Sequence, residues 1–126
     1  MSKMIHPIHR LPFVGKRGQF SDVYADFWAV PATGGYRGGC ATGSAFAHLY
    51  LMYLRDHPNE EAALQNIALD MQRNATRGQM VGFFSTLAPA LKQGAQHQDS
   101  YYPASEADLM ARATAGIHRP LEEYEQ

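Results

Sequence analysis

The sequence predicts a mainly α protein, a single small domain of three to four helices with an irregular or extended amino-terminal arm and one short strand or hairpin. Three observations carry that expectation. The 126 residues are enough for one domain and too few for two full catalytic ones. Apolar residues recur at helical spacing through 45–57, 59–73 and 79–93, whereas the alternation expected of a strand is confined to Phe20 to Val30. Hydrophobic residues make up 45% and charged residues only 18%, against about 25% charged for an average globular chain, which separates the protein from disordered tails.

Taken in order, residues 1–19 form a basic arm. Pro7, Pro12, Gly15 and Gly18 interrupt any period there, so no regular element is assigned. From Phe20 to Val30, Val23, Ala25, Phe27 and Ala29 alternate with Tyr24, Asp26, Trp28 and Val30, which suits a strand nearly as well as a short amphipathic helix. Pro31 stops either one. Residues 33–43 hold five glycines, the composition of a loop with unusual backbone angles.

With Thr42 or Ser44 as N-cap, Ala45 to His57 reads as a helix apolar on most of its circumference and closed by Pro58. Asn59 caps a second helix, with Glu60 and Glu61 in the first turn and a stripe of Leu64, Ile67, Ala68 and Met71. A third, over 79–93, spaces Met80, Phe83, Phe84, Leu87 and Leu91 by threes and fours, with Pro89 set to kink it and Gly94 to end it. Gly94 to Pro103 is polar apart from Tyr101 and Tyr102 and reads as a loop. Ser105-Glu106-Ala107-Asp108 then resembles a capping box ahead of Leu109, Met110 and Ala113. The core domain is thus 20–117, and 118–126 is an acidic mobile tail.

Charge separates the two ends. The first twenty residues hold Lys3, Arg10, Lys16 and Arg17 and no acid, while 99–126 hold six acids against Arg112 and Arg119. Eleven basic and twelve acidic side chains leave a net charge of −1, so neutralising many phosphates is not the protein's business and nucleic acid is not an expected partner. One cysteine rules out an internal disulfide and a multi-cysteine zinc site. The amino terminus, Met1 to Arg10, has no apolar core of the length a signal peptide needs, and the longest apolar stretch, Ala45 to Leu54, is broken by His48 and falls far short of a membrane span. A cytoplasmic protein with no membrane association is therefore expected, with Cys40 a free thiol.

Chemistry, if present, belongs to Gly34-Gly35-Tyr36-Arg37-Gly38-Gly39-Cys40-Ala41-Thr42-Gly43-Ser44. A strand, a glycine turn and a helix start would offer free amides to an anion. Gly38 and Gly43 have phosphate-loop spacing, but the lysine such a loop needs is missing. Cys40 is the candidate catalytic residue: a thiol at a helix N-terminus has its thiolate stabilised by the dipole, with Arg37 beside it. Its base would be His6, His9, His57, His97 or His118, because His48 lies two turns on. His6 and His9 are spaced like metal ligands, but Pro7 between them disfavours the helix that would present both. No metal and no cofactor are expected.

Seven tyrosines, six phenylalanines and one tryptophan exceed what one small core absorbs. Tyr36 with Arg37, and Tyr101 with Tyr102, are the candidate partner-binding residues, being of types enriched at protein interfaces. The function expected is a small non-enzymatic protein-binding module, a regulator, inhibitor or assembly subunit that uses an aromatic and glycine-loop surface for a protein partner or a second copy of itself. The alternative is a small thiol-dependent enzyme with Cys40 as nucleophile.

Overall fold

The computed structural model describes residues 7–17, 24–97 and 105–120. Among them are four α-helices and one two-stranded hairpin, the mainly α architecture that the periodicity predicts. The chain divides into two compact units, 1–93 and 94–126.

In the first unit a short 3₁₀ turn, Pro7–Arg10, leads into β1 (Gly15–Arg17), which pairs antiparallel with β2 (Tyr24–Asp26) in the register Gly15↔Asp26, Lys16↔Ala25 and Arg17↔Tyr24. The segment 20–30 therefore holds a strand and no helix among its described residues. The irregular arm belongs to the core, because Ile8, Leu11, Phe13 and Val14 are all buried. Residues 27–34 follow as an extended connector. Then come α1 (Gly35–Asp56), a 3₁₀ turn at Pro58–Glu60, α2 (Ala62–Asn74) and α3 (Arg77–Gln96).

The glycine-rich loop expected over 33–43 is a correction. Only Gly34 and Gly35 take positive φ, 90° and 66°, and they turn the chain into a helix that begins at Gly35 instead of after Thr42 or Ser44. Gly39 and Gly43 are helical for a different reason. They lie against α3, Gly39 beside Gly78 and Gln79 and Gly43 beside Gln79 and Phe83, where a Cβ on Gly43 would land on the Gln79 carbonyl oxygen and one on Gly82 on the Cys40 carbonyl oxygen. Tyr36 meets Gly78, and Cys40 meets Gly82 four residues on, so α1 and α3 run parallel with their backbones in direct contact. One turn further, the Ser44 and Thr86 hydroxyls are 2.7 Å apart.

Two other boundaries differ. Asn59 lies inside the 3₁₀ turn and does not cap α2, which begins at Ala62 without a side-chain cap. Helix α3 runs on through Pro89 and Gly94. The proline removes the hydrogen bond to the Ser85 carbonyl at a point where both residues are exposed to solvent.

The core is aromatic. Trp28 and Phe13 are fully buried with ring centroids 5.3 Å apart, and Phe83 meets Trp28 edge-on at 5.6 Å. Phe46 and Tyr50 of α1 complete the cluster. In the second unit, α4 (Glu106–Ile117) starts with the expected box: the Asp108 amide donates to Ser105 Oγ, and the Ser105 amide donates back to the Asp108 carboxylate. Tyr101 and Tyr102 lie outside the described residues, as does the tail beyond residue 120.

Candidate functional site

Buried polar groups fix the connector in place. Gln79, only 1% exposed, accepts from Trp28 Nε1 at 3.0 Å and from the Thr76 amide at 3.1 Å, and it donates to the Pro31 carbonyl at 2.9 Å. Its own amide donates to Thr76 Oγ1 at 3.2 Å. Thr76 and Gln79 thus make a reciprocal capping box for α3 whose glutamine also holds the connector. On α2, Asp70 accepts from the Phe27 amide and from Arg73 Nη2, both at 2.8 Å, and Asn74 donates to Asp26 and to the Trp28 carbonyl. Each carboxylate also holds a backbone amide of the connector, Asp70 that of Phe27 and Asp26 that of Trp28 at 3.3 Å. Along this clamp lies an open cleft of about 480 Å³ lined by Ala25, Phe27, Asn66, Leu69, Asp70, Gln72 and Arg73.

Helix α1 places Tyr36 and Arg37 in its first turn, both exposed. Tyr36 sits beside a cleft of about 210 Å³ formed with Ala32, Gly35, Thr76, Arg77 and Gly78. Cys40 requires a correction. It is the sixth residue of α1, in the second turn and not at the helix N-terminus that the sequence predicts for it. Its backbone is the floor against which Gly82 packs. Gly38, Gly43 and Ser44 likewise lie within α1, where amides past the first turn bond to carbonyls four residues back and offer nothing to a phosphate. His48 is exposed on α1 and His9 lies in the first 3₁₀ turn. No group of three or more His, Cys, Asp or Glu is placed to hold a metal ion among the described residues. None of the described helices is long and apolar enough to cross a membrane.

Between α1 and α2, the Tyr50 and Tyr53 hydroxyls are buried with no hydrogen-bond partner. Burial, foremost, pushes both phenols above the ordinary tyrosine value, and Glu60 adds to the effect on each. The Leu64 amide beside Tyr50 is already committed to the Glu61 carbonyl at 3.2 Å. Tyr53 also stacks on His57, 4.4 Å between rings.

The feature that sequence reasoning missed lies on α3. The spacing of Met80, Phe83, Phe84, Leu87 and Leu91 reads as one stripe, but the helix has two apolar faces. Gly78, Gln79, Gly82, Phe83 and Leu87 turn inward and are buried. Val81, Phe84, Ala88 and Leu91 turn outward, and Val81, Phe84 and Leu91 are 38%, 39% and 66% exposed. The outer four follow a three-four-three spacing, the signal that could have revealed them. Against protein-family models, curated proteins and solved structures alike, the chain finds no match.

Proposed function

We propose that the protein is a protein-binding module, of the kind that regulates, inhibits or assembles, and that its contact surface is the outer face of α3. One observation carries this: α3 already satisfies its packing through Gly78, Gly82, Phe83 and Leu87, and still presents a second, regular row of apolar side chains to solvent. Burying that row against a partner removes apolar surface from water at about 25 cal/mol per Å². Contiguous exposed apolar patches mark interaction sites where scattered single residues do not. Tyr36 and Arg37, the residues selected from sequence, lie in the first turn of α1, where Tyr36 shares a cleft with Arg77 at the start of α3.

Random peptides displayed on phage and selected on the folded protein test the proposal. Selected binders are expected to lose affinity for Leu91→Glu and Val81→Glu proteins whose circular dichroism matches wild type, and to keep it for Tyr36→Ala. Binders indifferent to both glutamates but lost with Tyr36→Ala would move the surface to α1 and overturn this choice of face.

A further inference from the structure

Resting on that reading, we infer that the outer face of α3 is built for an amphipathic helix with acidic flanks. Val81, Phe84, Ala88 and Leu91 occupy the spacing of a coiled-coil seam, which accepts knobs from a facing helix and offers an extended strand no matching period. The row spans about 15 Å, three turns of a partner helix. The charges that α3 itself carries are of one sign. Arg77 lies one turn before Val81 on the same face, Lys92 adjoins Leu91, both are exposed, and the sequence from Arg77 to Gln96 contains no Asp or Glu. An incoming helix with glutamates beside its apolar stripe meets a cation at each end of the seam. One with lysines meets repulsion at both, and like charges across a contact suppress wrong partners.

The probes are three synthetic 18-residue helical peptides: leucines at seam spacing with glutamate on the flanks, the same leucines with lysine on the flanks, and the glutamate peptide with its leucines scrambled. Fluorescence anisotropy is expected to show the glutamate peptide binding about ten-fold more tightly than the lysine peptide at low salt, an advantage that shrinks as salt rises. The scrambled peptide should not bind. Arg77→Gln with Lys92→Gln, two surface changes that leave packing intact, should abolish the preference without abolishing binding. Equal affinity for the glutamate and lysine peptides would overturn the acidic partner and leave the α3 surface standing. Failure of every seam peptide, while displayed peptides still bind in a manner sensitive to Leu91→Glu, would overturn the helical partner. Concentration-dependent dimerisation in sedimentation, lost with Leu91→Glu, would overturn an outside partner in favour of a second copy.

Discussion

Replacing Gly43 with alanine sets two effects of opposite sign against each other. In a helix interior the added methyl is worth about 1 kcal/mol, because glycine has the greater backbone entropy to lose. At Gly43, however, that methyl would land on the Gln79 carbonyl oxygen, 2.8 Å from the Phe83 nitrogen and 2.9 Å from the Gln79 carbonyl carbon. These are backbone atoms with no rotamer to change, so α1 and α3 must separate, and overpacking of this kind costs roughly 3 kcal/mol, the upper end of the usual range. The net expectation is a loss of about 2 kcal/mol, a large share of the roughly 5–15 kcal/mol that holds a domain folded. Gly38 supplies the control. It lies in the same helix, and a methyl added there would have no neighbour within 4 Å, so Gly38→Ala should gain up to about 1 kcal/mol. Urea unfolding followed by helical circular dichroism measures both, and the midpoints should move in opposite directions. If Gly43→Ala were as stable as Gly38→Ala, the direct backbone crossing of the two helices would be refuted.

The buried hub supplies a second test. Gln79→Ala leaves the Trp28 indole N–H and the Thr76 amide without their acceptor, so the unfolding free energy should fall by about 3 kcal/mol or more, well beyond the roughly 1 kcal/mol of Thr76→Ala; the reverse order would take Gln79 out of that role. The unpartnered tyrosines give a third. Burial favours the neutral phenol, so the folded protein holds these protons to higher pH than the unfolded chain, and their contribution is complete below about pH 10 and declines as pH rises past it through the folded-state pKa. Tyr50→Phe, which removes a buried hydroxyl whose neighbouring donor, the Leu64 amide, is engaged with the Glu61 carbonyl, should leave stability at neutral pH unchanged or higher and flatten the alkaline decline in urea midpoints. A decline as steep as wild type in the Tyr50→Phe, Tyr53→Phe double variant would assign it elsewhere.

Helices are legible in this sequence where a single cause makes them. Ser105 and Asp108 announce α4 because a capping box is a local hydrogen-bonding device, complete within four residues. Thr76 and Gln79 spell the same device ahead of α3, hidden because the apolar spacing counted there begins only at Met80. Glycine has two causes. It suits a turn by tolerating positive φ, as Gly34 and Gly35 do, and it suits a helix crossing by lacking a Cβ, as Gly39 and Gly43 do. Composition over 33–43 cannot distinguish these, so the whole stretch reads as loop.

What does distinguish them is a correspondence between distant segments. Gly39 and Gly43 are four apart, Gly78 and Gly82 are four apart, and a Cβ at any of these would strike the backbone of the facing helix. The outer face of α3 was obscured by a related ambiguity, since apolar residues at threes and fours give the period of a helix without the number of faces it buries. Close approach of α1 claims one side of α3 through glycines, which carry no hydrophobic signal, while Phe83 and Leu87 supply the core beside them. Val81, Phe84, Ala88 and Leu91 then lie on the side of α3 away from that crossing, partly exposed to solvent. The crossing that disguises α1 as a loop is also what leaves the opposite side of α3 facing solvent.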